Sequence, residues 1–150
     1  IRLVERRGVV FAGWERDVPF RIVNRTIGTS AVAVREFQLA ARTWVMHDDV
    51  VRSPAGGVTD RLGRPATLAA TFDVAVDGGA LTLTSRSLGL AVGPVRFRLP
   101  RRLSPVVRLR ESHDAGENRQ CIELTVDAPF LGRVYGYTGH FTYRIEKEHP

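Results

Sequence analysis

VRFRLPRRLSPVVRLRESHDAGENRQCIELTVDAPFLGRVYGYTGHFTYRI, residues 95–145, carries the clearest strand signal in the chain. Apolar and polar side chains alternate along it with period two. Val95, Phe97 and Leu99 oppose Arg96 and Arg98, and Val107 and Leu109 oppose Arg108 and Arg110. Ile122, Leu124 and Val126 then oppose Glu123, Thr125 and Asp127. Finally Tyr135, Tyr137, Phe141, Tyr143 and Ile145 oppose Thr138, His140, Thr142 and Arg144. Successive side chains of a strand point to opposite faces, so the pattern predicts four consecutive strands, each with one apolar face. The proline-bounded segment 100–105 cannot continue a central strand and marks a corner; the polar residues 114–118 and the turn 129–132 separate the remaining strands. One residue breaks the pattern. Glu111 shares the parity of Val107 and Leu109, which places a carboxylate on an apolar face.

The same period continues upstream. Phe72, Val74 and Val76 alternate with Thr71, Asp73 and Asp77, and Asp77-Gly78-Gly79 turns the chain into Leu81 and Leu83 as a hairpin. Residues 18–25, 31–39 and 43–51 also read as strands, with Gly28-Thr29-Ser30 as a turn and 2–12 as a weaker strand. Within 32–45, Val34, Phe37, Ala41 and Val45 satisfy helical spacing as well, and the strand is the preferred reading. Gly136 and Gly139 predict a bulge or sharp bend in the last strand. Residues 52–65 form the longest irregular segment. Nine to ten short strands without a convincing helix point to an all-β chain folded as an antiparallel barrel or strongly curved sheet of the lipocalin-like sort.

Composition narrows the function classes. One hundred and fifty residues make a single β-rich domain over 1–150, and no apolar run approaches the length needed to span a bilayer. The net charge of +6 and pI near 10.6 invite an anionic partner. All but one of the basic residues are arginine, the exception being Lys147, which fits a compositional bias as readily as selection for phosphate, so no nucleic-acid partner is expected. Cys121 is the single cysteine, which excludes an intrachain disulfide and a thiolate metal site; a reducing, cytoplasmic setting fits best.

Several motifs occur in order: Leu99-Pro100-Arg101-Arg102-Leu103-Ser104-Pro105, Arg110-Glu111-Ser112, Asp127-Ala128-Pro129-Phe130-Leu131-Gly132-Arg133 and Tyr137-Thr138-Gly139-His140-Phe141. Together they resemble the C-terminal signature of the bacterial domain of unknown function 4166 family, and the similarity extends back through Gly78-Gly79 and, more faintly, to Arg35-Glu36-Phe37. The resemblance implies a mostly β domain, sometimes fused behind a saccharopine-dehydrogenase-like nucleotide-binding domain, and it implies no catalytic residues. It also implies helical sequence at the start, which is absent here, so the expectation is a chain truncated or divergent at its N-terminus. No Gly-x-Gly-x-x-Gly occurs, and a nucleotide-binding role for the segment has no support.

Each candidate residue carries a plain structural reading beside the functional one. An ionised Glu111 on an apolar face is costly, so it shifts toward its neutral form, as a general acid or base would, pairs with an inward arginine such as Arg35, or sits at a bulge that turns it outward. Tyr135, Tyr137 and Tyr143 either fill a core or line a pocket with their hydroxyls turned to a ligand oxygen. Tyr137, flanked by glycines, has the most room. His47-Asp48-Asp49 splits across two faces, His47 and Asp49 on one and Asp48 on the other, which argues for a surface cluster over a metal site. Arg96, Arg98, Arg108 and Arg110, joined by Arg101 and Arg102, would form a basic stripe if their strands pair across the proline corner; a solvated barrel exterior explains them equally. No serine sits in a Gly-x-Ser-x-Gly elbow.

The expectation is therefore a binding domain for a small apolar or amphipathic molecule bearing a carbonyl or hydroxyl, lined by Arg35, Leu109, Glu111, Tyr135, Tyr137 and Phe141, with no cofactor and no metal. The first alternative is a cofactor-free cyclase or isomerase with Glu111 as acid or base and Tyr137 stabilising charge on oxygen. The second is an interaction domain that docks a partner on its arginine face.

Overall fold

Strand alternation is realised in ten strands: β1 (Glu15–Ile27), β2 (Ser30–Gln38), β3 (Thr43–Arg52), β4 (Val58–Leu62), β5 (Leu68–Asp77), β6 (Ala80–Val92), β7 (Val95–Arg98), β8 (Val106–Asp114), β9 (Arg119–Ala128) and β10 (Gly132–Phe141). The computed structural model describes residues 15–63 and 67–142, so the strand expected over 2–12 and the positions of Tyr143 and Ile145 lie outside the described residues. No helix among the described residues is long and apolar enough to cross a membrane.

The sheet runs β5-β4-β3-β2-β1-β10-β9-β8-β6, and a further β5–β6 pairing closes it into a barrel, with β7 attached outside the ring along β6. The ring holds nine strands. An odd ring cannot alternate strand direction throughout, so one neighbouring pair must be parallel. That pair is β1 and β10, with Val18 opposite Gly139 and Pro19 opposite His140, while every other pairing is antiparallel. The expectation of an antiparallel barrel thus holds except at one seam.

That seam is tightly built. A Cβ on Gly139 would sit 2.8 Å from the Val18 carbonyl oxygen and 3.0 Å from the Phe20 ring, so only glycine admits this approach of β10 to β1. Of the bulge or bend expected at Gly136 and Gly139, the register shows an irregularity in β1 between Glu15 and Val18, opposite Tyr137 and Gly139, and β10 itself bulges near its start, between Arg133 and Tyr135. Beside the seam, the Asp17 amide donates to Thr138 Oγ1 at 2.8 Å, and Asp17 Oδ1 lies 2.9 Å from His140 Nδ1.

Inside, Phe20 stacks on Phe37 with centroids 4.7 Å apart, Phe141 packs on Phe20 at 4.8 Å, and Tyr137 meets Phe37 edge-on at 5.5 Å. Val18, Ile22, Ala33, Met46 and Ile122 complete this core, and a second cluster gathers around Ala70, Phe72 and Leu88. Burial of side chains this large stabilises the fold by about 1.5–3 kcal/mol each. The segment 32–45 is two strands joined by a turn, as preferred over the helical spacing, and it turns Ala33, Arg35 and Phe37 inward.

Three expectations are corrected. The segment 52–65 contains β4, whose Val58, Asp60 and Leu62 line the interior while Thr59 and Arg61 alternate with them. Val74 and Val76 are exposed, because β4 reaches only as far as Phe72 and leaves the β5–β6 hairpin overhanging without a partner on that side. Its tip is the expected two-residue turn, with Gly78 and Gly79 at φ 55° and 80° and Asp77 opposite Ala80. Finally, β7 pairs with β6 and not with β8, so Val95 and Phe97 face outward and the arginines of β7 and β8 do not lie on paired strands.

Candidate functional site

The apolar faces of the barrel do not fill its interior. A cavity of about 190 Å³ remains, walled by Ile22, Met46, Val50, Val58, Leu81, Leu83, Leu124 and their neighbours. Arg35, Leu109, Glu111, Tyr135, Tyr137 and Phe141, the six residues singled out from sequence, all reach this one cavity. They come from β2, β8 and β10, which are not consecutive in the ring, and only inward parity brings them together.

The polar side chains concentrate around Arg35. Its guanidinium forms an ion pair with Asp48, whose side chain is fully buried; Asp48 reaches it because β3 lies beside β2, with Ala33 opposite Asp48 and Arg35 opposite Met46. Burial raises the Asp48 carboxyl above its ordinary range, and the contacting guanidinium opposes that rise. Asp60 enters from β4, opposite Val50. Burial, with the Asp48 and Asp49 charges adding and Arg35 opposing, pushes its pKa up to about 7. Its Oδ1 atom is buried without a hydrogen-bond partner among the described residues.

Glu111 is half-buried on β8, opposite Leu81 on one side and Ile122 on the other. Burial raises its pKa and Arg35 lowers it through space. Among the described residues the ion pair of Arg35 is made with Asp48 on the adjoining strand β3, so the arginine offered as one possible partner of Glu111 is held by Asp48 and acts on Glu111 through space. Tyr137 is buried, and desolvation pushes its hydroxyl up to about 12, which keeps it a proton donor across the physiological range. The Tyr135 ring lies 6.4 Å from that of Tyr137 in an edge-on arrangement.

Sequence reasoning missed Asp48 as the arginine partner and missed Asp60 altogether. A signal existed for both, since Asp48 shares parity with Met46 and Asp60 with Val58 and Leu62. His47-Asp48-Asp49 splits across two faces as expected, but the surface cluster expected there is corrected, because Asp48 is buried against Arg35. No group of three or more His, Cys, Asp or Glu among the described residues is arranged to hold a metal ion.

Chemically, the arrangement is an apolar chamber with one polar pole. The pole offers a fixed cation already neutralised by Asp48, a carboxyl near its midpoint at neutral pH, a second raised carboxyl and a phenol that donates.

The family model described as Domain of unknown function (DUF4166) matches residues 1–141. The chain is 27% identical over 157 aligned positions to the uncharacterized protein YndH of Bacillus subtilis (strain 168), an alignment that covers 94% of this chain and 74% of the relative. No solved structure matches it.

Proposed function

We propose that this chain, which belongs to the Domain of unknown function (DUF4166) family, binds a small apolar or amphipathic molecule inside its barrel. The observation that carries the reading is the cavity itself. Protein interiors pack to crystal density with few voids larger than a water, so a chamber of about 190 Å³ lined by aliphatic and aromatic side chains is a departure that a ligand explains. Its volume is close to that of engineered apolar cavities that take up benzene, about 150 Å³, and below the roughly 300 Å³ at which drug-sized sites begin. The occupant is therefore compact, of one-ring size, with one polar group reaching Asp60, Glu111 or Tyr137. A carbonyl accepts from Tyr137 or from a protonated carboxyl, and a hydroxyl serves either way.

This is a lipocalin-like use of a barrel, set in the cytoplasm in keeping with the single Cys121. Fusion to a saccharopine-dehydrogenase-like domain, where it occurs in the family, would place such a binding chamber beside an enzyme.

A second reading is favoured by Asp60. A carboxyl that titrates near neutrality inside a ligand-sized chamber suits a general acid or base, and the cofactor-free cyclase or isomerase expected to use Glu111 and Tyr137 gains a better placed proton carrier. The two readings separate in one set of variants. Asp60→Asn and Glu111→Gln that abolish turnover of a candidate substrate while retaining affinity support the enzyme. Variants that weaken affinity alone support binding. Failure of the wild-type protein to bind any one-ring alcohol, ketone or phenol in a calorimetric screen would count against both.

A further inference from the structure

One end of the barrel is unlike a solvated surface. The β9–β10 turn projects Phe130 at 95% exposure and Leu131 at 79%, the largest exposures among the apolar side chains described. Phe130 is held there at φ 64°, a left-handed conformation that a bulky residue adopts only at a cost. The backbone is thus strained at the residue that displays an aromatic ring to water.

Register places more of the same chemistry at this end. Val106, the first residue of β8, lies opposite Asp127 at the end of β9, so the corner 99–105 and the turn 129–131 emerge together. Below the start of β8, β7 continues along the same edge of β6, where the Leu99 amide donates to the Leu88 carbonyl at 2.9 Å. These segments expose Val95, Phe97 and Leu103. They also expose Arg96, Arg98, Arg101 and Arg102, none of which makes an ion pair among the described residues. By contrast, Arg108 and Arg133 are both engaged by Asp127, at 2.8 Å and 3.0 Å.

We propose that this end of the barrel docks on an anionic lipid surface, with Phe130 and Leu131 entering the headgroup region and Arg96, Arg98, Arg101 and Arg102 meeting lipid phosphates. Apolar tips flanked by unpaired guanidinium groups match both properties of such a surface, its apolar interior and its negative charge. Nucleic acid would satisfy the arginines and leave the Phe130-Leu131 tip in water. Docking is independent of what fills the cavity, so either inference stands or falls alone.

The test is flotation of the purified chain with vesicles of phosphatidylcholine containing phosphatidylglycerol, against pure phosphatidylcholine. The expected result is binding to the anionic vesicles at low salt, weakened as salt rises, and absent from the neutral ones. Phe130→Ser with Leu131→Ser should lower vesicle affinity about a hundredfold, since each of the two apolar side chains withdrawn from water is worth about tenfold. These side chains touch little of the core, so the thermal midpoint should stay put. Arg101→Glu with Arg102→Glu is the second variant and should abolish binding. Wild-type protein that remains unbound at low salt overturns the proposal, as does binding unchanged by both pairs. Equal-phosphate DNA that binds more tightly than vesicles, with no effect of the Phe130-Leu131 pair, overturns it in favour of a nucleic-acid surface.

Discussion

Arg35 is the residue on which the interior turns. Its charge is carried into an apolar barrel only because Asp48 meets it on the neighbouring strand. Breaking one half of a buried ion pair leaves an uncompensated charge, so Arg35→Ala should destabilise the protein by about 3–5 kcal/mol in urea titration, while Arg35→Leu with Asp48→Leu together should cost less than the single change. Asp60 predicts a pH dependence. Its folded pKa, about 7, lies above the ordinary value of 3.8, so the native state holds more protons than the unfolded state between those values. Stability from this group is present below about pH 4 and is lost as pH rises through 7, amounting to about 4 kcal/mol over the full span. Asp60→Asn, permanently neutral, should remove that slope and become the more stable form above neutrality. Equal slopes for wild type and variant in pH-resolved denaturation would contradict the assignment. Of these residues, only Arg35 was visible in sequence as an inward candidate. Asp48 and Asp60 were legible in parity alone, because an acid on a strand reads as surface until the strand order shows which cation stands next to it.

Among the elements, the seam between β1 and β10 decides closure. Gly139→Ala forces a Cβ against the Val18 carbonyl and the Phe20 ring, contacts that backbone and a packed aromatic cannot relieve cheaply. The expected cost is about 1–3 kcal/mol, with faster amide exchange along 18–22 than along 122–126. A variant as stable as wild type would mean the seam is looser than its geometry. Alternation made β8, β9 and β10 readable, because Leu109, Leu124 and Tyr137 keep strict parity with buried neighbours. It failed for β4, a strand of only five residues set between Gly56-Gly57 and Gly63, where turn-forming residues outweigh the short run Val58, Asp60, Leu62. It also misplaced β7 and the tip of β5. Parity tells which side chains share a face, whereas burial of that face depends on partners that β5 lacks beyond Phe72 and that β7 has on one edge only.

At the scale of the molecule, nine strands closed by one parallel pair enclose more space than their side chains fill. Leu83 stands on the cavity wall, and Leu83→Trp should occupy the chamber, abolish uptake of a one-ring ligand and leave the barrel folded by circular dichroism. Whether the chamber holds a small molecule is read by native mass spectrometry of the protein purified from its own host, wild type beside Leu83→Trp. The expected result is one small adduct per wild-type chain, released on denaturation and missing from the variant. A wild-type chain that flies at its bare polypeptide mass, with no small molecule in the denatured extract, would contradict it.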